Sequence, residues 1–396
     1  MFDSKNKILK FVSIIIIIFV IISIFSFILL TNKDGKQVEK SFFDKEKIKK
    51  SKQLGEKWII SNLNDEGYFN YYYNPITEQY STGNNMIRQI MASRLLAEMS
   101  NENESLRELH LKNLDYIINN WYKENDSIGY IYFDGKSKLG AMAMMLRTFV
   151  YSPFFSDYID YAEKIYNCII SLQNIDGSFE PWYIEPGYNY DKDYLLTFYS
   201  GEALLSMVEY YEKTENSSVL NSTILSQDYY LEEYVENLIE NYYPAYVPWH
   251  TQSLNKLYKI TGEKKYSDAI MTLNDELLKI LDTENNDTLG RFYNESLPQY
   301  GTPHSSSDGV YTEGLSYAYE IALLTNDTYH IESYKKALEL AIDNTIRLQY
   351  KDTNTLDFNF SERIIGAIRI NIDNYDIRVD TTQHSMDAFR KLLDII

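Results

Sequence analysis

Cysteine is almost missing from this sequence. Cys168 is the only one among 396 residues, which excludes an internal disulfide and any cysteine-based zinc site. It lies in IYNCIISL, on an apolar helical stripe, where burial in a core is expected. Positive charge is scarce as well. The 38 Lys and Arg against 57 Asp and Glu leave a net charge of −19, so nothing would neutralise a phosphate backbone and a nucleic-acid partner is excluded. No Asp-x-Asp-Asp or Asp-Asp-x-x-Asp string occurs, which disfavours terpene-cyclase chemistry. The stretch DTENNDTLG (282–290) resembles a calcium loop but lacks a glycine at its sixth place and a glutamate at its twelfth. No metal and no cofactor is therefore expected.

Apolar residues make up 44% of the chain and aromatic ones 15%, which excludes disorder. One long apolar run stands out: LKFVSIIIIIFVIISIFSFILL, residues 9–30, carries a single charge at its edge. About twenty such residues cross a bilayer. Lys5, Lys7 and Lys10 lie before or at its start and place the N-terminus on the cytoplasmic side. No small-residue cleavage site follows. The expected order is a cytoplasmic stretch (1–8), a transmembrane signal anchor (9–30), a linker (31–41) and an extracytoplasmic domain (42–396).

Beyond the linker, apolar residues recur at helical spacing between loops rich in Gly, Pro, Asn and Asp. Six long helices, charged on one face, are expected at 44–63, 104–123, 156–173, 227–242, 265–282 and 331–349. They alternate with six less charged helices that start near Asn85, Lys138, Ser200, Trp249, Thr312 and Gln383. These starts lie about fifty to seventy residues apart, longer and less regular than the about 34 to 47 of open helical solenoids. KLGAMAMML is apolar nearly all round, as a helix buried on every side must be. Six outer and six inner helices make an all-α (α/α)6 toroid. Within 367–380, AIRINIDNYDIRVD alternates apolar and polar residues around Asp-Asn, which predicts a small β-hairpin near the C-terminus.

This architecture, together with the loop LQNIDGSF (172–179) at the end of an outer helix, resembles the six-hairpin superfamily. That superfamily includes glycosidases, unsaturated glucuronyl hydrolases and the helical domain of glucuronyl C5-epimerases. The resemblance implies a carbohydrate-active protein. It assigns no catalytic residue, because no family catalytic motif is matched residue for residue.

Residues at the inner-helix starts should face one mouth of such a ring. They are Arg88 and Gln89, Lys138, Glu202, His250 and Gln252, Glu313, then Gln383, His384 and Asp387. Six helices each placing a polar or ionisable group beside an apolar run suggests a shared polar cavity, since a buried charge must be paired or solvated. Glu202 and Glu313 fit either helix-capping acids or a carboxylate pair across that cavity, and their matching positions beside glycines favour the pair. His250 and His384 are the candidate histidines. His110, His304 and His330 read as surface or loop residues. Trp249 and the aromatic loop 179–200, with Trp182 and Tyr199, offer faces on which sugars stack. Arg378 and Asp380, at the end of the hairpin, stand next to His384. Arg378 either grips a substrate carboxylate as a fork or pairs with Asp376 or Asp380.

Three activities follow. Hydrolysis of a glycan requires two carboxylates, here Glu202 and Glu313. Epimerisation at C5 or elimination on an acidic, uronate-containing glycan requires a base beside C5 and cations for the enolate-like intermediate. A glycan-binding or envelope-assembly protein without chemistry is the alternative.

Overall fold

The computed structural model describes residues 43–356 and 358–396. The expected cytoplasmic stretch, transmembrane anchor and linker lie outside them. Among the described residues, no helix is long and apolar enough to cross a membrane.

Twelve long helices alternate in two layers. The outer ones are α1 (Lys45–Asn62), α3 (Arg107–Asn120), α5 (Ile159–Ser171), α7 (Ser217–Leu231), α9 (Lys264–Leu278) and α11 (Thr328–Leu348). The inner ones are α2 (Met86–Glu102), α4 (Leu139–Tyr151), α6 (Lys192–Thr214), α8 (Val247–Thr261), α10 (Ser305–Thr325) and α12 (Val379–Ile395). Each inner helix packs on the next, and α12 packs back on α2. The ring is closed, as the pattern predicted. Lys45–Ile396 forms one compact unit.

The layering follows from side chains. In α4 every residue from Leu139 to Phe149 is buried, whereas α9 buries one stripe, including Tyr266, Ile270, Leu273 and Leu277. Helix starts are set by local caps. Asp191 accepts from the amide of Tyr194, Asn216 from that of Ser218 and Asp327 from that of His330. Inner helices approach closely where glycine removes the side chain: a Cβ on Gly201 would meet Trp249, and one on Gly314 would meet Pro248.

Five of the six outer-to-inner connections open with the same device. A glycine, one intervening residue and a buried Phe or Ile recur as Gly67-Tyr-Phe69, Gly129-Tyr-Ile131, Gly177-Ser-Phe179, Gly290-Arg-Phe292 and Gly366-Ala-Ile368. The buried residue pairs antiparallel with the end of the outer helix or just past it: Leu63 with Phe69, Tyr122 with Ile131, Gln173 with Phe179, Leu281 with Phe292 and Gln349 with Ile368. Four of these glycines have positive φ and press on a backbone carbonyl of the next outer helix. Gly67 meets Lys112, Gly177 meets Leu225, Gly290 meets Leu340, and Gly366 meets Leu54 of α1. The last contact joins the sixth hairpin to the first.

Three expectations are corrected. The fourth outer helix is Ser217–Leu231, followed by a π-helical turn at Glu232–Glu236, not 227–242. Its Ser/Asn/Thr-rich sequence reads as a loop, but Val219, Thr223 and Tyr230 bury a face. Helices α6 and α10 begin well before Ser200 and Thr312, because polar first turns masked their starts. Glu202 and Glu313 therefore sit in mid-helix and are not caps. The C-terminal hairpin is present but shorter than 367–380: Arg369 bridges Ile377, and the Ile370 amide donates to the Asp376 carbonyl at 2.9 Å. Its second strand, β3 (Ile377–Arg378), pairs also with β1 (Tyr72–Asn74), which in turn pairs with β2 (Gln79–Tyr80).

The glycine stitch is testable. At Gly366 an alanine Cβ would lie 2.1 Å from the Leu54 carbonyl oxygen at φ +98°, whereas Gly262 (φ +71°) has nothing within 4 Å. Gly366→Ala should cost about 3 kcal/mol or more through backbone strain and overpacking, and Gly262→Ala only about 1 kcal/mol. Urea melts of both variants check this; equal losses would show that the stitch carries no special load.

Candidate active site

The N-terminal halves of the inner helices and the loops before them enclose a cavity of about 480 Å³. All six hairpins contribute to it: Arg88 from α2, Lys138 before α4, Tyr199 and Glu202 from α6, Trp249 from α8, Tyr311 from α10 and His384 from α12. The β3 end adds Arg378, and the first turn of α12 adds Asp380.

Asp380 is held from two sides. Arg378 donates to both its oxygens, at 2.5 and 2.7 Å, and Arg88 Nε lies 3.0 Å away. Its carboxyl is buried, and the two guanidiniums keep it well below the usual carboxylate range. The Arg378 fork is thus spent on Asp380 and is not free to grip a substrate in two-point fashion.

Glu202 has the opposite environment. It is buried, and its Oε2 has no hydrogen-bond partner among the described residues. Burial pushes its carboxyl up to about 8, against the pull of Arg147, Lys138 and Arg88. It is therefore a neutral acid at pH 7. The Lys138 ammonium lies 5.7 Å over the Trp182 ring, with no hydrogen bond or ion pair among the described residues. Burial, then Lys136 and Arg88, lowers its pKa.

His384 stands edge-on to Trp249, with ring centroids 5.7 Å apart. Its Nδ1 lies 3.4 Å from Glu313 Oε2, which leaves Nε2 for a bound molecule. Glu313 does not line the cavity; it stands behind the histidine. Asp387 completes the group, accepting from Gln383 and Arg94, and Arg94 also holds Glu98 at 2.7 Å. Burial and Glu313 raise the Asp387 pKa, and Arg94 restrains it. Glu313, His384 and Asp387 have ligand atoms within 4.8 Å of one another. Each carboxylate of the group has a protein partner, Arg94 for Asp387 and His384 for Glu313.

Several predicted site residues lie elsewhere. His250 is buried against the outer layer, at 3.0 Å from Ser200 Oγ and 3.3 Å from Gln227 Nε2, among Tyr230, Tyr234 and Tyr246. Burial pushes its pKa down to about 3, so it is a neutral packing residue. Of the two neighbours in PWHTQ, it is Trp249 that faces the cavity. Gln89 pins the first loop through both backbone groups of Phe69. Gln383 and Asp387 belong to the layer behind the cavity. Trp182 does not line the cavity and touches it only through Lys138, and the buried amide of Gln252 lies outside the lining with neither polar atom hydrogen-bonded among the described residues.

Other lining residues escaped the sequence reading. His304, expected on a surface loop, caps α10 by accepting from the Ser306 amide at 3.1 Å and lines the cavity. Burial pushes it down to about 4. Tyr194, Tyr243, Tyr293 and Tyr300 form much of the rim. In a chain with 37 tyrosines, they carried no distinguishing signal. His110 is also buried and not at the surface, 2.9 Å from Ser152 Oγ.

Below the cavity, the C-terminal halves of the inner helices carry a second layer, made of ion pairs. Arg147 makes a two-point contact with Glu209 at 2.7 and 3.1 Å, both nearly inaccessible. Lys256 pairs with Glu212, Lys259 and Lys391 with Glu320, and Arg390 with Glu56, Glu98 and Glu102. Every inner helix contributes.

A closed ring of six helical hairpins around a one-sided polar cavity defines the six-hairpin (α/α)6 fold. No family model matches the sequence, and no curated protein matches it. Solved structures match the fold. They include a D-mannose isomerase (TM-score 0.70, 12% identity, 90% of this chain and 99% of that one). The cellobiose 2-epimerase from Bacillus thermoamylovorans B4167 matches with TM-score 0.63, 11% identity and coverage of 87% and 98%. An unsaturated glucuronyl hydrolase specific for heparin matches with TM-score 0.60, 10% identity and coverage of 88% and 98%.

The Glu202 environment has a signature in stability. A carboxyl raised above its unfolded value contributes stability at low pH and loses it as pH climbs, here from 4.5 to about 8. Glu202→Gln cannot titrate. Its stability advantage over the natural chain should therefore grow from about pH 5 to about pH 8, by on the order of 1 kcal/mol per unit, and then level off. A gap that ignores pH in urea melts would place Glu202 in a wetter site.

Proposed function

We propose that this protein is a carbohydrate-active enzyme that moves a proton at a carbon of an anionic sugar, as an epimerase or isomerase does. The observation that carries this reading is the inequality of the carboxyls. Hydrolysis needs an acid and a second, available carboxylate. Glu202 suits the acid, but Glu313 faces His384 and Asp380 is gripped by two arginines. What remains is a histidine backed by a carboxylate, the arrangement of a general base.

In the proposed reaction, His384 Nε2 takes the proton from a carbon next to a carbonyl or carboxyl group. The electron pair moves onto that group's oxygen, giving an enediolate. Glu202, still protonated, and the Lys138 ammonium stabilise the oxygen where charge develops. Return of the proton to the other face gives an epimer, and to the neighbouring carbon an isomer. The matched structures include a mannose isomerase and a cellobiose 2-epimerase, which supports a proton-moving reading of this fold. An anionic substrate is supported by the balance of charge in the lining, where Arg88, Lys138 and Arg378 outnumber the one ionised carboxylate, Asp380, in a chain of net charge −19. In the same reading, residues 9–30 anchor the enzyme with its cavity outside the cytoplasm.

Incubation with uronic acids in heavy water tests the proposal. Deuterium should enter at carbon without new reducing ends, and His384→Gln should slow it by about 10²–10⁴-fold with the thermal transition nearly unchanged. Cleavage without carbon-bound deuterium would establish hydrolysis, and binding with neither would establish a glycan-binding protein. Lys138→Met should weaken uronate binding by about 2 kcal/mol, the worth of a hydrogen bond to a charged group, and leave a neutral sugar unaffected in calorimetry. Equal losses for both sugars would remove the anion-binding role.

A further inference from the structure

We infer that the site accepts a free mono- or disaccharide, or the terminal residue of a chain, and excludes residues within a chain. The inference rests on the proton-transfer reading for its chemistry but on the shape of the cavity for its logic. A residue inside a polymer has neighbours on both sides, so its site must open in two directions. This cavity opens in one.

Its walls come from all six hairpins, and adjacent inner helices are in contact around the whole ring. Its floor is made by the innermost ion pairs, which are buried. Arg147 and Glu209 are 3% and 1% exposed, and Arg94 and Asp387 are 6% and 4% exposed. A sugar chain could pass between these pairs only by separating buried charges, which would leave each uncompensated. The mouth is narrowed as well. Tyr194, Tyr243 and Tyr300 come from three different segments and meet edge-on, with centroids 5.9 and 6.2 Å apart. On the opposite side, β3 is hydrogen-bonded to β1, and Asp376 accepts from Asn74 at 2.6 Å and from Tyr72. The cavity volume of about 480 Å³ falls within the about 300–1,000 Å³ of small-molecule sites.

The test compares a uronic acid monosaccharide, its disaccharide and homopolymers of increasing length, all in heavy water with the intact protein. Mass spectrometry should show deuterium in the small sugars. In the polymers, label per residue should fall in inverse proportion to chain length. Label per residue that stays constant with length would overturn the inference while leaving the proton-transfer reading intact. Calorimetric stoichiometry gives a second, activity-independent readout. Should no sugar exchange deuterium, the reaction fails, yet bound protein that stays at one or two per chain still supports end recognition. Bound protein that scales with length, or no binding by the small sugars, overturns it.

Discussion

The contact between the sixth hairpin and the first governs this structure. At Gly366 the backbone presses on the Leu54 carbonyl, Trp58 Nε1 donates to the Arg363 carbonyl at 2.9 Å, and the Gln349 amide reaches Ser51 at 2.8 Å. Inside that seam, α12 lies against both α1 and α2. Without it, His384 would have no opposite wall, because Arg88 and the Arg94–Asp387 pair reach across the same joint. The cavity is therefore a product of closure and not of any single hairpin.

Closure also divides the ring's interior by charge. The lower layer pairs each buried ion with its opposite, as burial requires. The upper layer leaves Lys138 without an ionic partner and Glu202 without a hydrogen bond at Oε2 among the described residues. Both groups line the cavity, which marks it as a place for chemistry. The two layers are joined through Arg94, which anchors Asp387 behind His384. A change in the ion-pair layer would thus be felt at the histidine.

The ring itself was legible because burial imposes a pattern: a stretch as uniformly apolar as KLGAMAMML fits a helix packed on every side and little else. The site was half legible. Arg88, Lys138, Trp249 and His384 lie just past loops and were found by position alone. Glu202 was found for a mistaken reason, since its helix starts a full two turns before Ser200, in the polar segment DKDY, which reads as loop. His250 and Trp249 are neighbours in sequence, yet about 100° of helical rotation puts one against the outer layer and the other in the cavity. No composition rule distinguishes them. His304 and the rim tyrosines depend on how loops fold over the mouth, which local pattern does not encode. The Gly-x-Phe/Ile repeat was present in five connections, but only LQNIDGSF has enough company to be noticed alone.

That repeat has a consequence for how the chain reaches its native state. Gly67, Gly177 and Gly290 each seat on the outer helix that follows, so neighbouring hairpins can assemble in sequence order through local contacts. The sixth must find residues about three hundred positions away. Loop closure over that distance is an entropic cost met only at the end. Partly built arcs expose the inner faces of both terminal hairpins until then. The longest-range step of assembly is thus the meeting of the first and sixth hairpins, and it is also the step that completes the cavity.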